Sequence, residues 1–192
     1  MSQTPQVRLP NPALDYTHEW GRSMVRACEL NFERLFAGST NYAVASGFYG
    51  SFHDETTQTA AATNTAYPMY LRITDEANGV GIVDNTKITF RSRGTYNIQF
   101  SAQIDSTSGG TADVYIWFRQ NGVDVPYSAT AVAVHGSAPQ TAAAWNFVRS
   151  VQVGDYLQIM WSTTNTNVRL LAQGATAPVP AIPSVILTVQ SI

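Results

Sequence analysis

The chain has 192 residues, one cysteine and a formal net charge of −2. This length suffices for one domain with its own core, and a single cysteine excludes an intrachain disulfide. Charged residues make up only 12% of the chain, about half the usual share, and nothing suggests the basic surface by which proteins bind nucleic acid. No apolar run approaches the ~20 residues that a membrane-spanning helix needs. We therefore expect neither nucleic acid nor membrane as a partner.

Residues 1–16 are the first predicted segment, an extended N-terminal arm. Its prolines remove backbone donors and bias the residues before them toward extended structure. The arm has too few apolar residues for a core of its own, so we expect these residues to dock onto a neighbouring protein. The expected docking residues are Val7, Leu9, Pro10, Pro12, Leu14 and Tyr16.

Residues 17–38 have the periodicity of one amphipathic helix. Apolar side chains recur at spacings of three and four, Thr17 stands where an N-cap belongs, and Gly38 stands where a C-cap belongs. The apolar stripe needs a partner, which is either the following domain or, as we favour because that domain looks complete without it, a sister copy or a larger particle. The expected contact residues are Trp20, Met24, Cys28, Phe32 and Leu35.

Residues 39–192 consist of short apolar or alternating runs that are separated by turns. Tyr96, Ile98 and Phe100 alternate with polar residues, which is the period of a half-buried strand, and the pair Asn121-Gly122 predicts a hairpin turn. The predicted strands are 46–53, 67–72, 80–83, 87–90, 96–104, 114–119, 130–135, 142–151, 156–161, 168–172 and 184–192. About ten short antiparallel strands predict a mainly β domain, either a sandwich, a barrel or a jelly roll.

Two of these runs are apolar on both faces. In the run 114–119, Tyr115 and Trp117 share one face, and apolar residues occupy the other face as well. The terminal run 184–192 has too many consecutive apolar residues for a strand with one wet face. We expect it to be a central strand buried on both sides, one of them by a partner.

No constellation of residues points to catalysis or to a cofactor. The three histidines, His18, His53 and His135, are isolated in the sequence. His53 precedes two carboxylates, but a solvated turn after a strand explains this run better than a catalytic base does. The acidic residues near turns lack the spacing of a calcium loop, and no Gly-x-Ser-x-Gly motif occurs. The sequence predicts no catalytic residue, no metal and no cofactor, so we expect a protein that is not an enzyme.

Three local patterns, taken in order, resemble tumour-necrosis-factor-like jelly rolls, including the globular heads of complement-type trimers. They are Ile88-Thr-Phe90 with Arg93-Gly94-Thr95-Tyr96, then Tyr115-Ile-Trp117 with Asn121-Gly122, then Val151-x-Val153-Gly154-Asp155-Tyr156. The resemblance implies an antiparallel jelly-roll sandwich that forms a homotrimer. The side chains expected at the trimer interface are Tyr115, Trp117, Tyr156, Val185, Leu187 and Val189.

The whole chain is similar to virion proteins of tailed bacteriophages. The similar segments are Leu9-Pro10-x-Pro12-x-x-x-Tyr16, Met24-Val25-Arg26-x-x-Glu29-Leu30, Ala143-Ala-Trp145-Asn-Phe147 and Ala181-Ile-Pro183-Ser-Val185-Ile-Leu-Thr-Val189. This resemblance implies assembly in the host cytoplasm and a place on the exterior of the phage head or tail.

Two functions follow from the phage resemblance. The first is a head decoration or cement protein, or a short fibre, whose trimeric knob is anchored to the major capsid protein or to a tail or adaptor protein by the arm and the helix. The second is a tail-fibre or spike protein that binds a host surface polysaccharide through the polar loops 106–111 and 163–167. The extended shaft of a long tail fibre is missing from the sequence, which favours the first.

Overall fold

The computed structural model describes residues 18–39, 47–136 and 140–192. The chain divides into two units, 1–46 and Gly47–Ile192. The predicted arm 1–16 and its docking residues lie outside the described residues, so this prediction remains open. In the first unit, helix α1 spans His18–Ser39, which confirms the predicted helix to within a residue at each end. Gly38 is itself helical and so lies before the end of the helix.

The side chains of α1 are described from Glu19 to Leu30, apart from Trp20. Met24 and Cys28, two of the expected contact residues, are half-buried, whereas Val25 and Leu30 are exposed. The remaining expected residues of the stripe, Trp20, Phe32 and Leu35, have side chains outside this description.

The second unit is built from β-strands. The described strands are β1 (Tyr49–Asp54), β2 (Gln58–Thr59), β3 (Tyr67–Pro68), β4 (Ile73–Asn78), β5 (Val80–Val83), β6 (Lys87–Phe90), β7 (Gly94–Ser106), β8 (Thr111–Gln120), β9 (Val123–Asp124), β10 (Thr130–His135), β11 (Gln140–Val151), β12 (Tyr156–Thr163), β13 (Val168–Leu170) and β14 (Val185–Ser191).

The strands form two antiparallel sheets that pack as a sandwich. Sheet A has the order β2-β13-β7-β14-β1-β4, and β11 pairs with the other edge of β7. Sheet B has the order β10-β8-β12-β6-β5, with β3 beside β12 and β9 beside β8. The chain crosses between the sheets several times, among others from β6 to β7, from β7 to β8, from β10 to β11 and from β11 to β12, as expected for a jelly roll. The predicted mainly β jelly roll is confirmed.

Alternation along β7 places the core between the sheets. Tyr96, Ile98 and Phe100 point inward and are at most 4% exposed, as the sequence period predicts. In sheet B, Ile116 and Phe118 of β8 are buried in the same core. Because strands such as β7 and β8 bury one face in this core, the opposite face of each sheet is left for other uses.

The terminal strand β14 buries one of its two faces in the subunit. It is central in sheet A, between β7 and β1, as expected. Its two faces differ, however, because Val185, Leu187 and Val189 are fully buried in the subunit's own core while Ile186 is 40% exposed. The subunit therefore buries one face of β14, and burial of the other face by a partner stays a prediction.

The sequence analysis did not predict three short or exposed strands, β2, β4 and β9. Strand β4 is mostly exposed and contains Asp75 and Glu76, so it lacks the apolar alternation of a half-buried strand. The predicted strand 67–72 shrinks to Tyr67–Pro68. The hairpin turn at Asn121-Gly122 is confirmed, since both residues have positive φ, as type I′ turns require.

An ion pair ties the end of β1 to the loop that follows β3. The carboxylate of Asp54 is completely buried and accepts hydrogen bonds from Arg72 Nη1 at 2.7 Å and from the backbone N–H of Thr56 at 2.8 Å. The Arg72 guanidinium also stacks over the Tyr70 ring at 4.2 Å. These contacts hold the connection between β1 and β4 against the sheet.

We expect Asp54→Asn to lower the free energy of unfolding by about 2 kcal/mol, because it removes one partner of a buried ion pair whose arginine still reaches water. The matched control is Asp84→Asn, which removes an exposed ion pair with Lys87 and should cost less than ~1 kcal/mol. Urea unfolding measures both. Equal losses in the two variants would contradict a special role for Asp54.

Candidate interaction surface

On the outer face of sheet A, residues 95–103 of β7 and the segments of β11 and β14 that pair with them carry no charged side chain. We call this surface the uncharged face. All of its residues are exposed or half-buried. They are Thr95, Asn97, Gln99, Ser101 and Gln103 of β7, Ala142, Ala144, Asn146, Val148 and Ser150 of β11, and Ile186, Thr188 and Gln190 of β14.

Ion pairs border the uncharged face. On the side of β1 and β4, His53 Nδ1 lies 3.0 Å from Asp75 Oδ1. At the end next to β13, Arg169 Nη2 donates to Asp105 Oδ2 at 2.6 Å. Asp105 and Arg169 are thus satisfied by each other, which leaves the surface between the two pairs free of charge.

A groove crosses the middle of the uncharged face. Two rows of residues in register line it, Ile186, Ser101 and Ala144 in the first and Thr188, Gln99 and Asn146 in the second. The small side chains of Ser101 and Ala144 leave an open cavity of about 370 Å³. The groove combines aliphatic surface with amide and hydroxyl groups.

The edge of the sandwich beside this face is also free of acids and basic residues. Strands β10 and β11 are the last strands of their sheets on this side and contact each other. We call residues 130–134 of β10, together with Gln140, Thr141, Ala143, Trp145 and Phe147 of β11, the uncharged edge; within the part of the chain that is described, none of these residues is charged. Exposed edge strands normally carry charges or prolines that prevent pairing with other chains, so this edge is suited to being covered.

Aromatic side chains of β11 close the core at this edge. Trp145 stacks edge-on against Phe100 at 4.6 Å, and Phe147 packs in the same way on Phe118 at 4.6 Å. Both β11 side chains are only partly buried by the subunit. The indole N–H of Trp145 is buried without a hydrogen-bond partner among the described residues.

The outer face of sheet B has a different character. Trp117 donates its indole N–H to Asp124 Oδ1 at 2.8 Å, and Arg119 Nε donates to the same oxygen at 2.7 Å. Tyr115, on the same face, is 38% exposed. Charged groups therefore lie on this face, and hydrogen bonds connect them to each other and to Trp117.

The structure does not bring the six predicted interface residues together. Tyr115, Trp117 and Tyr156 are at least partly exposed on sheet B, so they remain available to a partner. Val185, Leu187 and Val189 are 0% exposed and cannot supply an interface while the subunit is folded. The available side chains of β14 are the intervening ones, Ile186, Thr188 and Gln190, which the apolar pattern did not single out.

Tyr127 is the other feature that the sequence analysis missed. Its side chain is fully exposed, and its φ of 61° is in the left-handed region that residues other than glycine rarely adopt. The turn Val125-Pro126-Tyr127-Ser128 holds it there: Ser128 Oγ accepts from Phe118 N at 3.0 Å and donates to Val125 O at 2.8 Å. Proline at the second position of the turn was the only sequence signal.

A hydrogen-bond cluster joins two turns at one end of the sandwich. The carboxylate of Asp155 accepts from the backbone N–H of Gln152 at 2.8 Å and from the side-chain amides of Asn121 and Gln120. The Gln152 N–H, followed by the Asn121 amide, lowers the pKa of Asp155 below its usual 3.8. The folded protein thus stabilises the charged form of Asp155.

We expect the stability difference between wild type and Asp155→Asn to depend on pH. A carboxyl group with a lowered pKa contributes stability that is fully present above its unfolded value of 3.8 and is lost as the pH falls through the folded value. Thermal unfolding should therefore show the wild type more stable at neutral pH, with the gap closing below pH 3.8. A gap that stays constant on acidification would contradict this assignment.

Residues considered for chemistry are separated or engaged elsewhere. His53 lies in β1 between Asp75 and Glu55, and Asp54 points instead to Arg72. In the described parts of the chain, no cluster of three or more metal-ligating side chains occurs. No helix of the described ranges has both the length and the apolar composition needed to cross a bilayer.

Comparison with known proteins leaves the family open. No protein-family model matches the chain, and no curated protein sequence is significantly similar to it. The surfaces of the jelly roll are therefore the basis for any functional assignment.

Proposed function

We propose that the chain is a structural protein, not an enzyme, whose jelly roll associates with copies of itself through the uncharged face of sheet A. The assembled knob is carried on the exterior of a tailed-phage particle, as a head decoration or short fibre. The observation that carries the self-association is the continuous absence of charge over the uncharged face and the adjoining uncharged edge.

Physical chemistry favours contact between the edge of one copy and the face of the next. Charged residues are depleted at the centre of protein interfaces because their desolvation is costly. An edge meeting a face is a heterologous contact, which uses two different surfaces of each subunit and forms a closed ring when the rotation between copies closes. The three-fold symmetry of the ring comes from the resemblance to trimeric jelly rolls.

The size of the uncharged face also favours a ring over a dimer. Three strands of this length cover roughly 30 Å by 14 Å, or about 400 Å². A standard stable interface buries about 800 Å² on each partner, so a single contact of this kind supplies only about half of that. In a closed ring every subunit makes two such contacts, one through its face and one through its edge.

Placement on the particle rests on the phage resemblance of the arm and helix. On α1, Val25 and Leu30 expose apolar side chains and Met24 and Cys28 are half-buried. Exposed apolar side chains on a helix favour a docking role, because contact with a partner removes them from water. The partner is the major capsid protein or a tail or adaptor protein.

We expect Gln99→Arg to convert the wild-type trimer into folded monomers, because it places a charge at the centre of the uncharged face. The matched control is Gln158→Arg, which makes the same change on an outward residue of β12 in sheet B and should leave the trimer intact. Sedimentation velocity with circular dichroism measures assembly and folding together. Dissociation by Gln158→Arg alone would place the interface on sheet B, and a monomeric wild type would refute self-association.

We expect the pair Leu9→Ser and Leu14→Ser to abolish incorporation into particles while the protein still folds and trimerises, because the arm loses the apolar side chains that dock. Gln3→Ser with Gln6→Ser is the control, since it alters the same arm without changing its apolar residues. Quantitative gels of purified particles measure the copy number. Full occupancy by the leucine variant would contradict docking through the arm.

A further inference from the structure

We infer that Tyr127 of one copy inserts into the groove on the uncharged face of the next copy. The inference rests on the proposed self-association and names the side chain and the pocket that join the copies. Each subunit carries both the tyrosine and the groove, on different surfaces. The tyrosine of one copy therefore meets the groove of another.

The projecting side chain is held outward by a built turn. Tyr127 has a φ of 61°, a conformation that glycine adopts without the steric cost that other residues carry. Ser128 is 2% exposed, and its hydroxyl ties the turn to Phe118 of β8. Strained residues that their surroundings hold in place concentrate at functional sites, and tyrosine is enriched among the residues that dominate interfaces.

The groove suits a tyrosine in chemistry and in size. Ile186 and Ala144 provide aliphatic surface for the ring, and its cavity of about 370 Å³ accommodates one aromatic side chain. A buried phenol needs a hydrogen-bond partner, which the exposed amide of Gln99 can supply. Neither surface carries a charge, so burial of the ring leaves no ion without a partner.

The position of Tyr127 matches the edge-to-face contact. It lies three residues before β10, which begins at Thr130, and so at the end of the uncharged edge. The groove lies on the uncharged face of sheet A. Since Tyr127 is fully exposed, it does not occupy the groove of its own subunit, and a second copy is required to bring the two together.

Substitution of Tyr127 separates association from folding. We expect Tyr127→Gly to weaken self-association by about 30-fold, the effect of losing one dominant interface side chain, while the subunit keeps its fold, since glycine accepts the backbone conformation. Val153→Ala is the control, because Val153 is also an exposed apolar residue of a turn and should change neither the association nor the fold. Analytical ultracentrifugation over a dilution series measures the association.

Mixing two variants tests the pairing directly. Thr188→Arg fills the groove with a charged side chain from β14, and Gln99→Arg does so from β7 if the first variant fails to fold. Each of these variants alone should associate more weakly than the wild type, as should Tyr127→Gly. Mixed one to one, the groove-filled variant still offers its tyrosine and Tyr127→Gly still offers its groove, so native mass spectrometry should find more mixed dimers than dimers of either variant with itself.

The outcomes distinguish this inference from the proposed function. A monomeric wild type refutes self-association and the tyrosine contact with it. A trimeric wild type whose association is unchanged by Tyr127→Gly, or variants that form mixed dimers no more than like dimers, refutes the tyrosine contact and leaves self-association standing. Loss of polysaccharide binding by Tyr127→Gly with unchanged association would assign the tyrosine to a glycan and likewise overturn the contact.

Discussion

Strand β7 pairs with β11 along one edge and with β14 and β13 along the other. Residues opposite each other in these pairs point to the same side of the sheet, so the inward and outward positions of β7 determine those of its neighbours. Phe100 of β7 lies opposite both Leu187 and Trp145 in register, so all three point to the core. A shift of one residue in any of these pairings would move an entire apolar set to the surface. The hydrophobic core therefore fixes the register, and the register determines which residues form the outer face.

Folding does not dictate what those outer residues are. A charged side chain in place of Gln99 or Thr188 would reach water in a single subunit, as one does at many exposed strand positions. Elsewhere in the described chain several charges occur as local pairs, among them Asp54 with Arg72 and Asp105 with Arg169. The absence of charge from the uncharged face is thus a property that the fold of one subunit leaves unexplained and that contact with another surface would explain.

The sequence predicted strands whose residues are buried on one side. Strands β5, β6 and β10 match their predicted bounds, and in β6 the apolar residues Ile88 and Phe90 are the buried ones. Strand β4 was not predicted because it is an exposed edge strand. Backbone pairing with β1 holds it in the sheet, and such pairing does not require an apolar pattern of side chains. The interface prediction failed at β14 for the converse reason: apolar character marks Val185 and Leu187 as buried but does not tell a subunit's core from an interface. The exposed turn of Tyr127 was not predicted because the hydropathy of a sequence does not report backbone conformation.

The turn of Tyr127 and the uncharged edge share an anchor in the core. Phe118 donates its backbone N–H to Ser128 Oγ, which holds the turn, and its ring packs against Phe147 of the edge strand β11. The projecting tyrosine and the edge are therefore positioned by the same buried residue of sheet B. A contact surface that is already ordered before association loses less entropy on binding, so one aromatic residue in the core orders in advance the tyrosine and the edge that one copy presents to the face of the next.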